Sequence, residues 1–172
     1  MLYLLIALGV IARLVPHLPN FVPIGAIGIF ATKEKGTWKS AAIVLAMMLI
    51  TDLFLGFSYA SIYVYAGMLL YVLWGKLTRF GWWGYLAAPV GGSLTFFMIS
   101  NLGVYLGPWY THDLAGFVKC FTLAVPFYKF TLLSDIIFTA GLFGVFYIYN
   151  KYRKGGFLWL RRLPKVISTR KL

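Results

Sequence analysis

Acidic side chains are nearly missing from this chain: 4 Asp and Glu stand against 16 Lys and Arg in 172 residues. All charged residues together make up 12% of it, about half the share of a soluble globular domain. The remainder is 61% apolar. That is too much apolar surface for one soluble core of this length, and far too much for a disordered polymer. Lipid is the solvent that suits it, in keeping with a mean hydropathy of +0.82. Cysteine is down to one residue, Cys120, which excludes an internal disulfide and reads as a small buried side chain.

Catalytic and cofactor motifs are missing too. There is no GxSxG, HExxH or CxxC, and Gly92-Ser93 lacks the nucleophile-elbow pattern. His17 and His112, the latter beside Asp113, have no metal-ligand spacing, so neither a metal nor another cofactor is expected. Without a GxxxxGK[ST] phosphate loop the chain has no means of its own to use ATP. These gaps point away from an enzyme.

What is present is a set of long apolar stretches punctuated by charge. The pattern predicts an all-α polytopic membrane protein of six helices, at about 1–15, 21–32, 40–57, 61–75, 84–103 and 127–150. The second is short and rich in small residues. Residues 1–150 read as one transmembrane domain, and 151–172 as a basic tail. The first stretch lacks a basic n-region and a small-residue cleavage site, so it is read as a mature helix. Pro16-His17-Leu18-Pro19-Asn20 breaks the chain after it.

Alternation of six helices puts 33–39, 76–84 and 151–172 on one side. That side holds 13 Lys/Arg and one acid, against three of each on the other. The positive-inside rule makes the rich side cytoplasmic and puts both termini there. Trp38, Trp74, Trp82, Trp83 and Trp159 fall at the same ends, as an interfacial belt should, while Trp109 falls at the other. The tail, with Phe157-Leu158-Trp159-Leu160, reads as an interfacial anchor on anionic lipid, and its charges need no nucleic acid to explain them.

Polar residues inside the predicted membrane gather near the outer end. Asp52 lies about five residues, roughly 7 Å, from the end of the third helix. Arg13, His17, Asn20, Asn101, Tyr105, Trp109, Tyr110 and Asp135 come to similar depth from other stretches, and together they form the candidate ligand site. Each also has a structural reading. Asp52 with Thr51 can satisfy a neighbouring helix, Arg13 can snorkel, Asn101 can bond helix to helix, and the aromatics can form an outer belt. Asp52 and Asp135 can equally pair with Arg13 and Lys129.

Several groups of residues recur in a familiar order. They are Arg13-Leu14-Val15-Pro16-His17-Leu18-Pro19-Asn20-Phe21, Pro23-Ile24-Gly25-Ala26, Thr51-Asp52 with Gly56, Phe96-Phe97 with Ser100-Asn101-Leu102-Gly103, Gly116, Cys120, Ala124-Val125-Pro126-Phe127, Ser134-Asp135 and Leu142-Phe143-Gly144. Over about residues 5–145 they resemble an uncharacterised family of small bacterial membrane proteins. That family is similar in turn to the substrate-binding S components of energy-coupling-factor vitamin transporters.

The resemblance implies an S-component-like bundle in the bacterial cytoplasmic membrane. It implies a vitamin-like ligand captured at the outer face beneath the loop at 16–21, and uptake energised by a transmembrane coupling subunit and two ATPases. Small residues would dock that partner. Ala7 is followed four positions later by Ile11, so Gly9 and Ala12, or Gly25 and Gly28, would have to serve. Two alternatives belong to other classes. One is a membrane enzyme on a lipid or isoprenoid with Asp52 and Asp135 as acid and base; the other is a non-catalytic scaffold.

Overall fold

The computed structural model describes residues 2–16 and 18–161, and its regular elements are all helical. In order they are α1 (Leu2–Leu14), α2 (Ile24–Lys35), α3 (Thr37–Leu55), α4 (Ser61–Trp74), a 3-10 segment (Gly75–Phe80), α5 (Trp82–Tyr105) and α6 (Leu114–Arg161). The all-α expectation holds, with six α-helices. Three of them, α3, α5 and α6, are long and apolar enough to cross a membrane. The other three have 13, 12 and 14 residues and reach only about 18–21 Å, short of the roughly 30 Å of a hydrocarbon core.

The chain divides into two compact units, residues 1–142 and 143–172. In the first, α2 is the centre. Its residues from Ile24 to Thr32 are all buried, among α1, α3, α4, α5 and the 3-10 segment. A helix that is apolar all round belongs in an interior, and α2 is of that kind as far as Ala31, before its charged last turn at Lys33-Glu34-Lys35. Gly36, at φ 87°, turns the chain from α2 directly into α3 in a conformation that a side chain would strain. Across that corner Ser40 Oγ donates to the Gly28 carbonyl at 2.7 Å, which latches the two helices together.

α6 departs most from expectation. It begins at Leu114, not near residue 127, and runs through Pro126 without a break. Asp113 starts it: its Oδ1 accepts the Gly116 amide at 2.6 Å and the Thr111 hydroxyl at 2.9 Å, and its carbonyl accepts the Phe117 amide. A side-chain acceptor there satisfies amides that a helix start leaves unpaired. Those two donors hold the Asp113 carboxyl below its ordinary pKa, the Gly116 amide contributing most. Gly116, Cys120, Ala124, Thr131, Asp135 and Thr139 then form one buried stripe. The second unit comprises the C-terminal part of α6, helical as far as Arg161, with Val145, Tyr147, Ile148 and Tyr152 exposed. The side chains on which the lipid-anchor reading of 157–160 depends, and residues 162–172, lie outside those described.

Candidate ligand site

Arg13 closes the last turn of α1. Its Nη1 lies 2.7 Å from Asp52 Oδ1, the one ion pair among the described residues. The same nitrogen donates to Thr51 Oγ1 and lies 3.4 Å from the Met48 carbonyl. Tyr65, one turn into α4, donates to the other Asp52 oxygen at 2.6 Å. Asp52 is almost wholly buried, and both its oxygens are engaged. An ionised side chain at that depth is stable only when paired and hydrogen-bonded in this way. The cluster therefore ties α1, α3 and α4 together at one end of the unit.

Two cavities adjoin the cluster, and Arg13, Asn20, Val64 and Phe96 line both. The larger, about 320 Å³, lies between the loop after α1 and helices α4, α5 and α6. Phe96, Phe97, Phe127 and Tyr128 give it aromatic walls, and Ser100, Asn101 and Thr131 add polar groups. The smaller, about 240 Å³, is walled by Met48, Met68 and Leu55. Asn20 reaches both from a loop position at φ 60°, a conformation that Asn adopts more readily than most residues. Asn101 donates its side-chain amide to the Phe97 carbonyl one turn back, at 2.8 Å. The Phe97 ring is fixed by Tyr128 and Phe121, at centroid distances of 5.0 and 5.8 Å.

The structure brings together some of the residues singled out by sequence and separates others. Arg13, Asn20 and Asn101 line the larger cavity; Asp52 stands behind Arg13 and lines neither cavity. Tyr105 lies in the α5–α6 seam, edge-on to His112 and Phe117. Trp109 is exposed and Tyr110 half-buried, and neither lines these cavities. Asp135 is buried elsewhere, accepting from the Tyr71 hydroxyl rather than pairing with Lys129. His17 lies outside the described residues. Among the described residues no group of three or more His, Cys, Asp or Glu is placed to hold a metal.

The small residues expected to dock a partner are occupied within the chain. A Cβ on Gly25 would lie 2.6 Å from Tyr71 Cε1 and 2.7 Å from Asp135 Oδ1. Gly28 faces Val44, and Gly9 faces Met47 and Ile27. Close packing inside the bundle uses these faces. Ala12, half-buried, is the exception.

A family model matches residues 1–156, which include every residue lining the two cavities. The chain belongs to the DUF6580 family. The family is one of unknown function, and neither a curated protein nor a solved structure matches the chain. Sequence reasoning missed several residues of this DUF6580 chain that shape the site. Phe96 and Phe97 stood out only through the resemblance, while Tyr65, Tyr128 and Thr131 sat unnoticed within apolar runs. Tyr128 and Thr131 fall on the α6 face continued by Cys120 and Ala124, a signal that a helix beginning at Leu114 would have exposed.

Proposed function

We propose that this protein is a substrate-capture membrane subunit, binding a small organic ligand in the cavity bounded by Arg13, Asn20 and Asn101. The cavity itself carries the proposal. At about 320 Å³ it has the size, the mostly apolar walls and the few placed polar groups of a small-molecule site. It also lies beside the loop that follows α1, which supplies Asn20 to its lining, and in S components the ligand sits beneath that loop. On this reading six segments alternate through a bacterial cytoplasmic membrane with both termini inside, and the cavity faces out. The resemblance supplies the partners: a transmembrane coupling subunit and two ATPases, which this chain needs because it carries no phosphate loop.

A thermal-shift screen of vitamins and related micronutrients against the purified chain in detergent tests the proposal. A stabilising ligand that the chain does not turn over is the expected result. Reconstituted alone in liposomes, the protein should bind that ligand and fail to accumulate it. Gradient-driven uptake by the lone protein would contradict the dependence on partners.

A further inference from the structure

We infer that the cavity selects an uncharged, flat heterocycle with hydrogen-bonding edges and discriminates against its carboxylate analogue. The inference rests on the capture reading above and names the ligand class. By residue type alone, Arg13 would call for a carboxylate or phosphate. In the fold its charge is already matched. Asp52 lies 2.7 Å from Nη1, and Thr51 and the Met48 carbonyl crowd the same nitrogen. No other Lys or Arg among the described residues lines either cavity. An incoming anion would leave its own charge uncompensated beside Asp52, after giving up its water. A cation fares no better, since Asp52 spends its two oxygens on Arg13 and Tyr65.

What the cavity offers instead is neutral. The Asn101 amide oxygen, the Asn20 side chain and the Tyr128 hydroxyl have no hydrogen-bond partner among the described residues. They supply donors and acceptors without net charge, as a lactam or amide edge requires. The rings of Phe96, Phe97 and Phe127 supply flat apolar area for the body of a heterocycle.

The test uses the full chain in detergent near pH 7 and matched pairs that differ in one carboxylate: nicotinamide with nicotinate, and pterin with pterin-6-carboxylate. Dissociation constants come from quenching of intrinsic or pterin fluorescence. In at least one pair the uncharged member should bind at least tenfold more tightly. Asp52→Asn, which releases Arg13, should narrow that gap at least tenfold in favour of the carboxylate. The parent comparison decides by itself if Asp52→Asn fails to fold. Equal or tighter binding of the carboxylates by the parent overturns the ligand class and leaves the capture reading standing. Failure of both members of both pairs also overturns it, while the wider vitamin screen judges the capture reading separately.

Discussion

At the scale of single residues, the fold turns on polar side chains that find partners far away in sequence. Arg13 and Asp52 illustrate how far such residues can be read in advance. Their types, set in apolar runs, marked them as costly and therefore purposeful. Their pairing was one of the options open, but Tyr65 as the second partner of Asp52 was not legible, because a tyrosine in an apolar run gives no sign of which way it faces. Asp113 presents the opposite case. Its carboxyl is depressed by the Gly116 amide and the Thr111 hydroxyl, so its contribution to folding is present above the ordinary carboxylate pKa, about 4, and lost as the pH falls through the lower folded value. Hydrogen exchange checks this: acidifying the parent should lower the protection factors of the Gly116 and Phe117 amides, taken relative to the intrinsic exchange rate at each pH. Asp113→Ala should do so at neutral pH, and Asp113→Asn, still able to cap, should remove the acid dependence. Protection factors at these amides that ignore both pH and the alanine substitution would show that Asp113 does not anchor α6.

At the scale of elements, α2 and α6 decide the architecture. Charge punctuation made α2 and α3 readable, since Lys33-Glu34-Lys35-Gly36 separates two apolar runs. The start of α6 was not legible: the apolar span expected from about residue 127 follows directly on Pro126, whose missing amide a long helix with packed neighbours can absorb. The interior position of Asp135 was equally hidden, since it depends on room made by a glycine on another helix. Gly25 makes that room. Its alanine would thrust a methyl against the fully buried Tyr71 ring, at 2.6 Å, and against the Asp135 carboxyl. Overpacking of this kind costs about 1–3 kcal/mol. Gly28→Ala meets its nearest neighbour, Val44 Cγ2, only at 3.1 Å. Thermal unfolding in detergent should therefore rank Gly25→Ala clearly below Gly28→Ala, and the reverse order would mean that the Tyr71–Asp135 pair can shift freely.

At the scale of the whole molecule, composition and the length of three helices are consistent with a membrane protein. Three helices have the length and apolar character to cross a membrane, and Trp38, Trp82 and Trp83 stand exposed at one set of helix ends, as interfacial indoles do. The proposed orientation follows from the Lys/Arg asymmetry, and labelling tests it. In a Cys120→Ser background, an impermeant reagent applied from outside should reach a cysteine at Tyr110 and miss one at Gly155. Labelling at Gly155 alone would invert the protein and turn the cavity toward the cytoplasm. The cavity residues were legible where a polar side chain interrupts an apolar run, as at Arg13, Asn20 and Asn101. The aromatic walls were not, because choosing between a lipid-facing and an inward-facing ring requires the packing of α5 on α6.

The central claim is that a ligand sits among Asn101, Phe97 and Arg13, and one binding titration addresses it. The compound that most stabilises the parent is titrated into parent, Asn101→Ala, Phe97→Ala and Leu123→Ala, all checked for folding in detergent. Leu123 lies on the exposed face of α6, away from the cavity. Asn101→Ala and Phe97→Ala should each weaken binding at least tenfold, about 1.4 kcal/mol, and Leu123→Ala should leave it unchanged. Parent-like affinity in both cavity variants would place the ligand elsewhere and contradict the account.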